Sequence, residues 1–322
     1  MNAIGGYFEL DLIKGAEFHP NAIALNTGRN ALELILKVKK YKKVFIPYYT
    51  CDVILEPLKK TNTPYEFYSI NKNFEPVFDY STLKPDESFL YTNYFGLKEK
   101  FINELVTKCK NLILDNSQSF FSLPQKNVPT FYSCRKFFGV PDGAYLYLDN
   151  FNQNDFPIDY SSSRITHLIK RIEYDAEAGY NDFKNNDNSL IGQPIKLLSK
   201  LTKALLCNID YKQVQKTRKE NFLFLHKKLS KHNTLEIDIT TPFVPMVYPF
   251  FAKGNDLLRS HLISLKIYTA TYWSNVFDWV KKDTIEFDLT QNLIHLPIDQ
   301  RYSKKDLKLL LNIIDSFKSF KN

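Results

Sequence analysis

Between residues 22 and 148 short apolar runs alternate with runs of helical period, and this alternation constrains the fold more than any single motif does. Ala22–Leu25 reads as a strand that passes through Thr27-Gly28 into a helix with apolar residues at 31, 34, 35 and 38. Strand-like runs follow at 44–47, 65–70, 89–94, 111–116, 130–133 and 144–148, with helix-like runs at 53–60 and 101–109. Such a βαβ rhythm predicts an α/β fold with a mostly parallel or mixed sheet, covered by helices, whose ligands bind at strand ends.

After residue 150 the rhythm changes. Residues 151–163 are polar and contain proline, and Asn181–Asn188 is so rich in Asn and Asp that it reads as a loop. Helical patterns at about 194–206 and 211–229 lead to strands at 244–250 and 293–298 and helices at 257–265 and 304–317. The chain therefore divides into a large unit, residues 1–190, which begins with an irregular arm over residues 2–20, and a second unit, residues 191–322. That second part holds connecting helices and a smaller α+β domain.

The 322 residues, 44% hydrophobic, suffice for a large core and more than one domain. Neither a run of eighteen apolar residues nor a signal-peptide start is present, so the chain is expected in the cytoplasm, off the membrane. Four scattered cysteines and six histidines show neither a disulfide framework nor metal-ligand spacing. The net charge of +8 raises the question of nucleic acid. However, Lys196, Lys200 and Lys203, like Lys212, Lys216 and Lys219, recur at helical spacing, which describes the wet face of amphipathic helices and argues against a nucleic-acid partner.

Three local features carry chemistry. Lys136 is flanked by Phe131, Tyr132, Phe137 and Phe138, where a globular protein puts core. A desolvated amine can attack a carbonyl to form an imine, whereas an ordinary lysine here would snorkel to water beside Arg135. Asp115 closes the run Leu112-Ile-Leu-Asp; a buried carboxylate there needs a cation such as a protonated pyridine nitrogen, while Asp-Asn-Ser is also good capping and turn chemistry. Thr27-Gly28-Arg29 at a helix start offers backbone N–H groups and a positive dipole end that suit a phosphate, although many helices begin this way with nothing bound.

The order of these features resembles the DegT/DnrJ group of sugar aminotransferases. The residues that carry the likeness are Thr27-Gly-Arg-Asn-Ala-Leu32, Ile46-Pro-Tyr-Tyr-Thr50, Asp115-Asn-Ser-Gln118, Ser133-Cys-Arg-Lys136 with Gly143, Tyr248-Pro249 and His295-Leu-Pro297. The resemblance implies an aspartate aminotransferase-like large domain, pyridoxal 5'-phosphate as cofactor, and a homodimer that shares its active sites. It implies that Lys136 binds the cofactor and shuttles the proton, that Asp115 holds the pyridinium, and that Gln118 faces the phenolic oxygen. Ser133 and the backbone of Gly28 and Arg29, next to Thr27, would hold the phosphate. Tyr49 is expected against the ring, although the group's usual aromatic aligns with Cys51.

The chain departs from the group in three ways. It is shorter, Arg29 stands where a small hydroxyl residue is usual, and Ser133 sits only three residues before the lysine. The implied reaction moves an amino group from an amino-acid donor, with glutamate expected, to a keto sugar nucleotide in cell-surface polysaccharide or sugar biosynthesis. Dehydration of a sugar is the alternative within the fold, and a DNA-binding regulatory descendant is the alternative outside catalysis. Trp273 and Trp279 could line a substrate pocket but read first as packing, Tyr180–Phe183 reads as a loop on the surface or toward the partner subunit, and Arg218 of an Arg-x-x-Asn pair reads as a structural ion pair before a substrate contact.

Overall fold

The structure is a computed structural model that describes residues 4–149, 151, 156–252 and 254–317. Ten strands are present among these residues: β1 (Ile23–Leu25), β2 (Lys43–Pro47), β3 (Tyr65–Ile70), β4 (Pro76–Val77), β5 (Glu87–Thr92), β6 (Leu112–Asp115), β7 (Thr130–Ser133), β8 (Ala144–Tyr147), β9 (Tyr248–Phe251) and β10 (Leu293–Leu296). The first eight form one sheet in the order β1-β8-β7-β6-β5-β2-β3-β4. Its centre, from β3 to β7, is parallel, and the pairs β7–β8, β8–β1 and β3–β4 are antiparallel.

Strand side chains alternate between the two faces, and both faces are buried. In β6, Leu112 and Leu114 enter one apolar core with Phe89, Tyr91, Tyr132 and Tyr145. Ile113 enters the other with Leu34, Ile35, Ile46 and Leu146. By the same alternation Asp115 faces the side of Ile113, opposite Phe131 in register.

The helices are α1 (Gly28–Lys39), α2 (Leu55–Lys60), α3 (Glu99–Lys108), α4 (Thr166–Glu173), α5 (Tyr180–Ser189), α6 (Lys200–Cys207), α7 (Tyr211–Leu229), α8 (Asn255–Ser264), α9 (Val276–Trp279), α10 (Ile285–Asn292) and α11 (Lys304–Ser316). Thr27 caps α1, its Oγ1 accepting from the Asn30 N–H at 3.1 Å, and Lys40 ends the helix in the left-handed region at φ 53°. The small antiparallel pair β9–β10 packs with α7, α8 and α11 in a third core around Phe222, Leu258, Ile294 and Leu311. Helix α7 joins the units: Val214 lies in the first core, Phe222, Leu225 and Leu229 in the third.

Two expectations change. Residues 181–188 form α5 and not a loop, because tertiary contacts outweigh weak helix propensity: Asn186 donates to the Pro141 carbonyl at 2.8 Å and Asp187 pairs with Arg135 at 2.7 Å. The segment before α6 is extended, with Leu198 N–H donating to Ala24 O at 3.0 Å. The division expected after residue 190 thus falls before the last segment that pairs with the large sheet.

Candidate active site

A cavity of about 220 Å³ opens where α1 begins and where β6 and β7 end, and Asn26, Thr27, Gly28, Arg29, Asp115, Ser133 and Lys136 all lie on its wall. A larger cleft of about 490 Å³, walled by Glu75, Lys98, Phe95 and Asp238, holds none of the predicted site residues.

Lys136 ends a tight turn, Cys134–Lys136, that follows β7. That turn is tied back to the sheet through the Cys134 N–H, which donates to Gly143 O at 3.0 Å, while the Gly143 N–H donates to Asn26 O at 2.7 Å. Gly143 has φ +113°, and a Cβ on it would come within 3.0–3.2 Å of Leu198, Thr202 and Cys134, so a side chain there would strain the backbone and press on its neighbours. Lys136 Nζ donates to Ser117 Oγ at 3.4 Å, and the Ser117 N–H donates to Asp115 Oδ1 at 2.8 Å, which brings lysine and aspartate to one chamber through a single serine. The amine is exposed, not sealed in the core as its neighbours suggest. Phe137 and Phe138 turn into one core and Phe131 into the other, which leaves the lysine at the sheet's rim.

Asp115 is buried, and burial raises its carboxyl pKa against the opposing pull of the Lys136 charge and the Ser117 bonds. Among the described residues no cation lies within ion-pair distance of it. The turn bond to Ser117 and a buried carboxyl with no cation at ion-pair distance thus occur together in Asp115.

The first turn of α1 points Gly28 and Arg29 at the cavity, with N–H groups that have no intrahelical acceptor by construction. The Arg29 guanidinium is turned to the wall, with Nε 3.4 Å from Glu56 Oε2 and a terminal nitrogen donating to Leu190 O at 3.4 Å. Arg135 also lines the cavity, paired with Asp187 of α5.

Two predicted residues do not reach the wall. Tyr49 is fully buried among Tyr94, Phe74 and Trp273, and its phenol is forced up in pKa by burial. Its ring is spent on core packing and does not line the cavity. Gln118 is buried too, its Oε1 accepting from the Phe95 N–H at 3.0 Å, which fixes the left-handed turn at Phe95. Cavity residues to which sequence reasoning gave no site role are Ser117, Arg135 and Asp187, while Trp273, weighed there between packing and a pocket, lies on the wall. The first two stand beside flagged residues and were findable, whereas nothing local marks Asp187.

The architecture is that of sugar aminotransferases. CalS13 of Micromonospora echinospora, a sugar aminotransferase, is 14% identical, with 92% of this chain and 87% of that chain covered at a TM-score of 0.66. DesV of S. venezuelae, solved with a ketimine intermediate, is 15% identical over 91% and 83% at 0.65. A DegT DnrJ EryC1 StrS aminotransferase from Brucella abortus is 13% identical over 92% and 86% at 0.61. At such identities the likeness shows the fold. No protein-family model and no curated protein matches the sequence.

Proposed function

We propose that the protein is a pyridoxal phosphate-dependent aminotransferase of the DegT/DnrJ type, which moves an amino group from an amino-acid donor, glutamate by preference, to a keto sugar nucleotide. The convergence of Lys136, Asp115, Ser133 and the start of α1 in one cavity carries this reading. The residues fit the cofactor: a buried carboxylate without a cation beside it, an amine, and a helix start flanked by a hydroxyl meet the ring nitrogen, the aldehyde and the phosphate in turn.

When bound, the cofactor supplies an aldehyde for the lysine and a pyridinium ring that draws electrons from the substrate carbon. Lys136 would hold the aldehyde, and its amine, when free, would move the proton at that carbon. Asp115 keeps the ring nitrogen protonated, Ser117 orients both charged groups, and Gly28, Arg29 and Ser133 anchor the phosphate. Trp273 and Phe131, also on the cavity wall, would bound the space open to the ring. Arg135 and the net charge of +8 favour anionic substrates.

The same reading assigns the protein to the cytoplasm, to cell-surface polysaccharide or sugar biosynthesis, and to a homodimer. Among the described residues no helix is long and apolar enough to cross a membrane. Exposed Ile169, Ile172, Tyr174, Tyr180 and Ile191 cluster on and beside α4 and α5, whose Asp187 lines the cavity, and this apolar face suits a second copy.

The test is a half-reaction. Glutamate added to the pyridoxal phosphate-loaded protein should convert the cofactor to its amine form, and a keto sugar nucleotide should restore it. A sugar-dependent reaction without any amine form would favour a dehydratase, and no response to any amino acid would end the aminotransferase reading.

A further inference from the structure

Helix α7 carries an Arg-x-x-Asn pair that the reading above does not use. Arg218 is only 2% exposed and is among the largest fully buried side chains of the protein. Among the described residues no carboxylate lies within ion-pair distance of it, contrary to the ion pair expected from sequence. Its charge is spread over neutral acceptors instead. Nε–H donates to Gln300 Oε1 at 3.0 Å, one terminal nitrogen donates to the carbonyls of Pro245 and Met246 at 3.3 and 3.0 Å, and the other to Phe137 O at 3.3 Å. The guanidinium also lies 4.5 Å from the centroid of the Phe137 ring. Burial lowers its pKa to about 10, and Asp299 opposes this only from a distance.

A buried cation without a paired anion is costly, and an apolar residue of similar volume would pack here at less expense. What the arginine holds supplies a reason for keeping it. Phe137 O receives a second donor, Gln300 Nε2 at 2.9 Å. Phe137 directly follows Lys136, and the N–H groups of Phe137 and Phe138 both return to Cys134 O. The turn that presents the lysine is therefore held from inside by Cys134 and from outside by Arg218 and Gln300. Asn221, one helical turn along α7, anchors the loop that presents Gln300, donating to Ile298 O at 3.1 Å and Tyr302 O at 3.0 Å.

We propose that Arg218 and Gln300 are positioning residues for Lys136: by clamping the carbonyl of Phe137 they set where the lysine amine stands relative to Asp115. The proposal rests on the pyridoxal phosphate reading. It also explains the spacing of the motif, since Arg218 reaches the turn and Asn221 fixes the loop that completes the grip. A misplacement of about 1 Å at a reacting group can cost on the order of 10²-fold in rate, so a backbone clamp one residue from the amine is well placed to matter.

The experiment compares Gln300→Leu and Arg218→Lys with the wild type in two measurements. The first is hydrogen exchange in the peptide 134–140 of the protein without added cofactor. The second is the rate at which added pyridoxal phosphate gives the visible absorbance band of the lysine-bound form, and the pH midpoint of that band. Both variants should exchange faster over 134–140, capture the cofactor about tenfold more slowly, and titrate at a shifted midpoint. Gln300 is half-buried, and Gln300→Leu leaves the guanidinium its three carbonyl acceptors, so this variant should fold, at some loss of melting temperature, and keeps the test open if Arg218→Lys does not. A folded variant with wild-type capture rate and midpoint overturns the proposal, even if its melting temperature falls. A wild type that gives no band refutes the cofactor reading itself, and unchanged exchange in the variants then also removes the clamp.

Discussion

Asp115 is costly to the free protein, and the proposed reaction needs it. Burial lifts its pKa above the carboxylate's usual 3.8. An acid whose pKa is raised on folding destabilises the fold at pH above its folded pKa, and that penalty fades as pH falls to the unfolded value. Cofactor-free Asp115→Asn should therefore melt above the wild type at neutral pH, and the two melting curves should converge near pH 3.8. Transamination in the same variant should fall by at least about 10²-fold, the cost of removing one member of a buried charge pair. A variant that melts lower at neutral pH would mean that Lys136 and Ser117 outweigh the desolvation. At this scale the sequence was informative wherever a residue's chemistry is declared by its immediate neighbours. Asp115 at a strand end, Gly28 at a helix start and Lys136 after a strand all reach the cavity. Tyr49 and Gln118 do not, because in a cluster as aromatic as Tyr49, Phe74, Tyr94 and Trp273 the choice between packing and lining depends on partners far away in the chain.

At the scale of elements, periodicity located seven of the eight strands of the large sheet to within a few residues, most of them because both faces are buried and the apolar runs are nearly unbroken; β4, two residues at the exposed edge, has no such run to mark it. Helix α5 escaped this reading, since Tyr180–Ser189 has one buried residue, Asn186, and no apolar stripe to announce it. Its order comes from Pro141 and Arg135, neither of which is near it in sequence. The exposed apolar residues of α4 and α5 bear on association. Ile172 is 82% exposed, and replacing it with aspartate places a charge on the proposed subunit face at little cost to the monomer's fold. Sedimentation should show a dimer for the wild type and a shift toward monomer for Ile172→Asp. A wild-type monomer at all concentrations would remove this face from the account.

For the whole molecule, the cavity is a product of topology. The start of α1, the ends of β6 and β7 and the segment around Trp273 lie far apart in the chain and meet only because parallel strands place their C-terminal ends together. That meeting made the large domain legible from rhythm and motif order, and left the choice between packing and pocket at Trp273, the place of Asp187 and the contacts of Arg218 undecided, since each depends on partners distant in the chain or on a helix the pattern did not reveal. The central claim is that Lys136 is the amine that holds pyridoxal phosphate. Borohydride reduction of the loaded protein followed by peptide mass mapping tests it most directly. One reduced pyridoxyl adduct per chain should be found, on the peptide containing Lys136, and Lys136→Ala should give none. An adduct fixed at another lysine, or one retained in Lys136→Ala, would contradict the account.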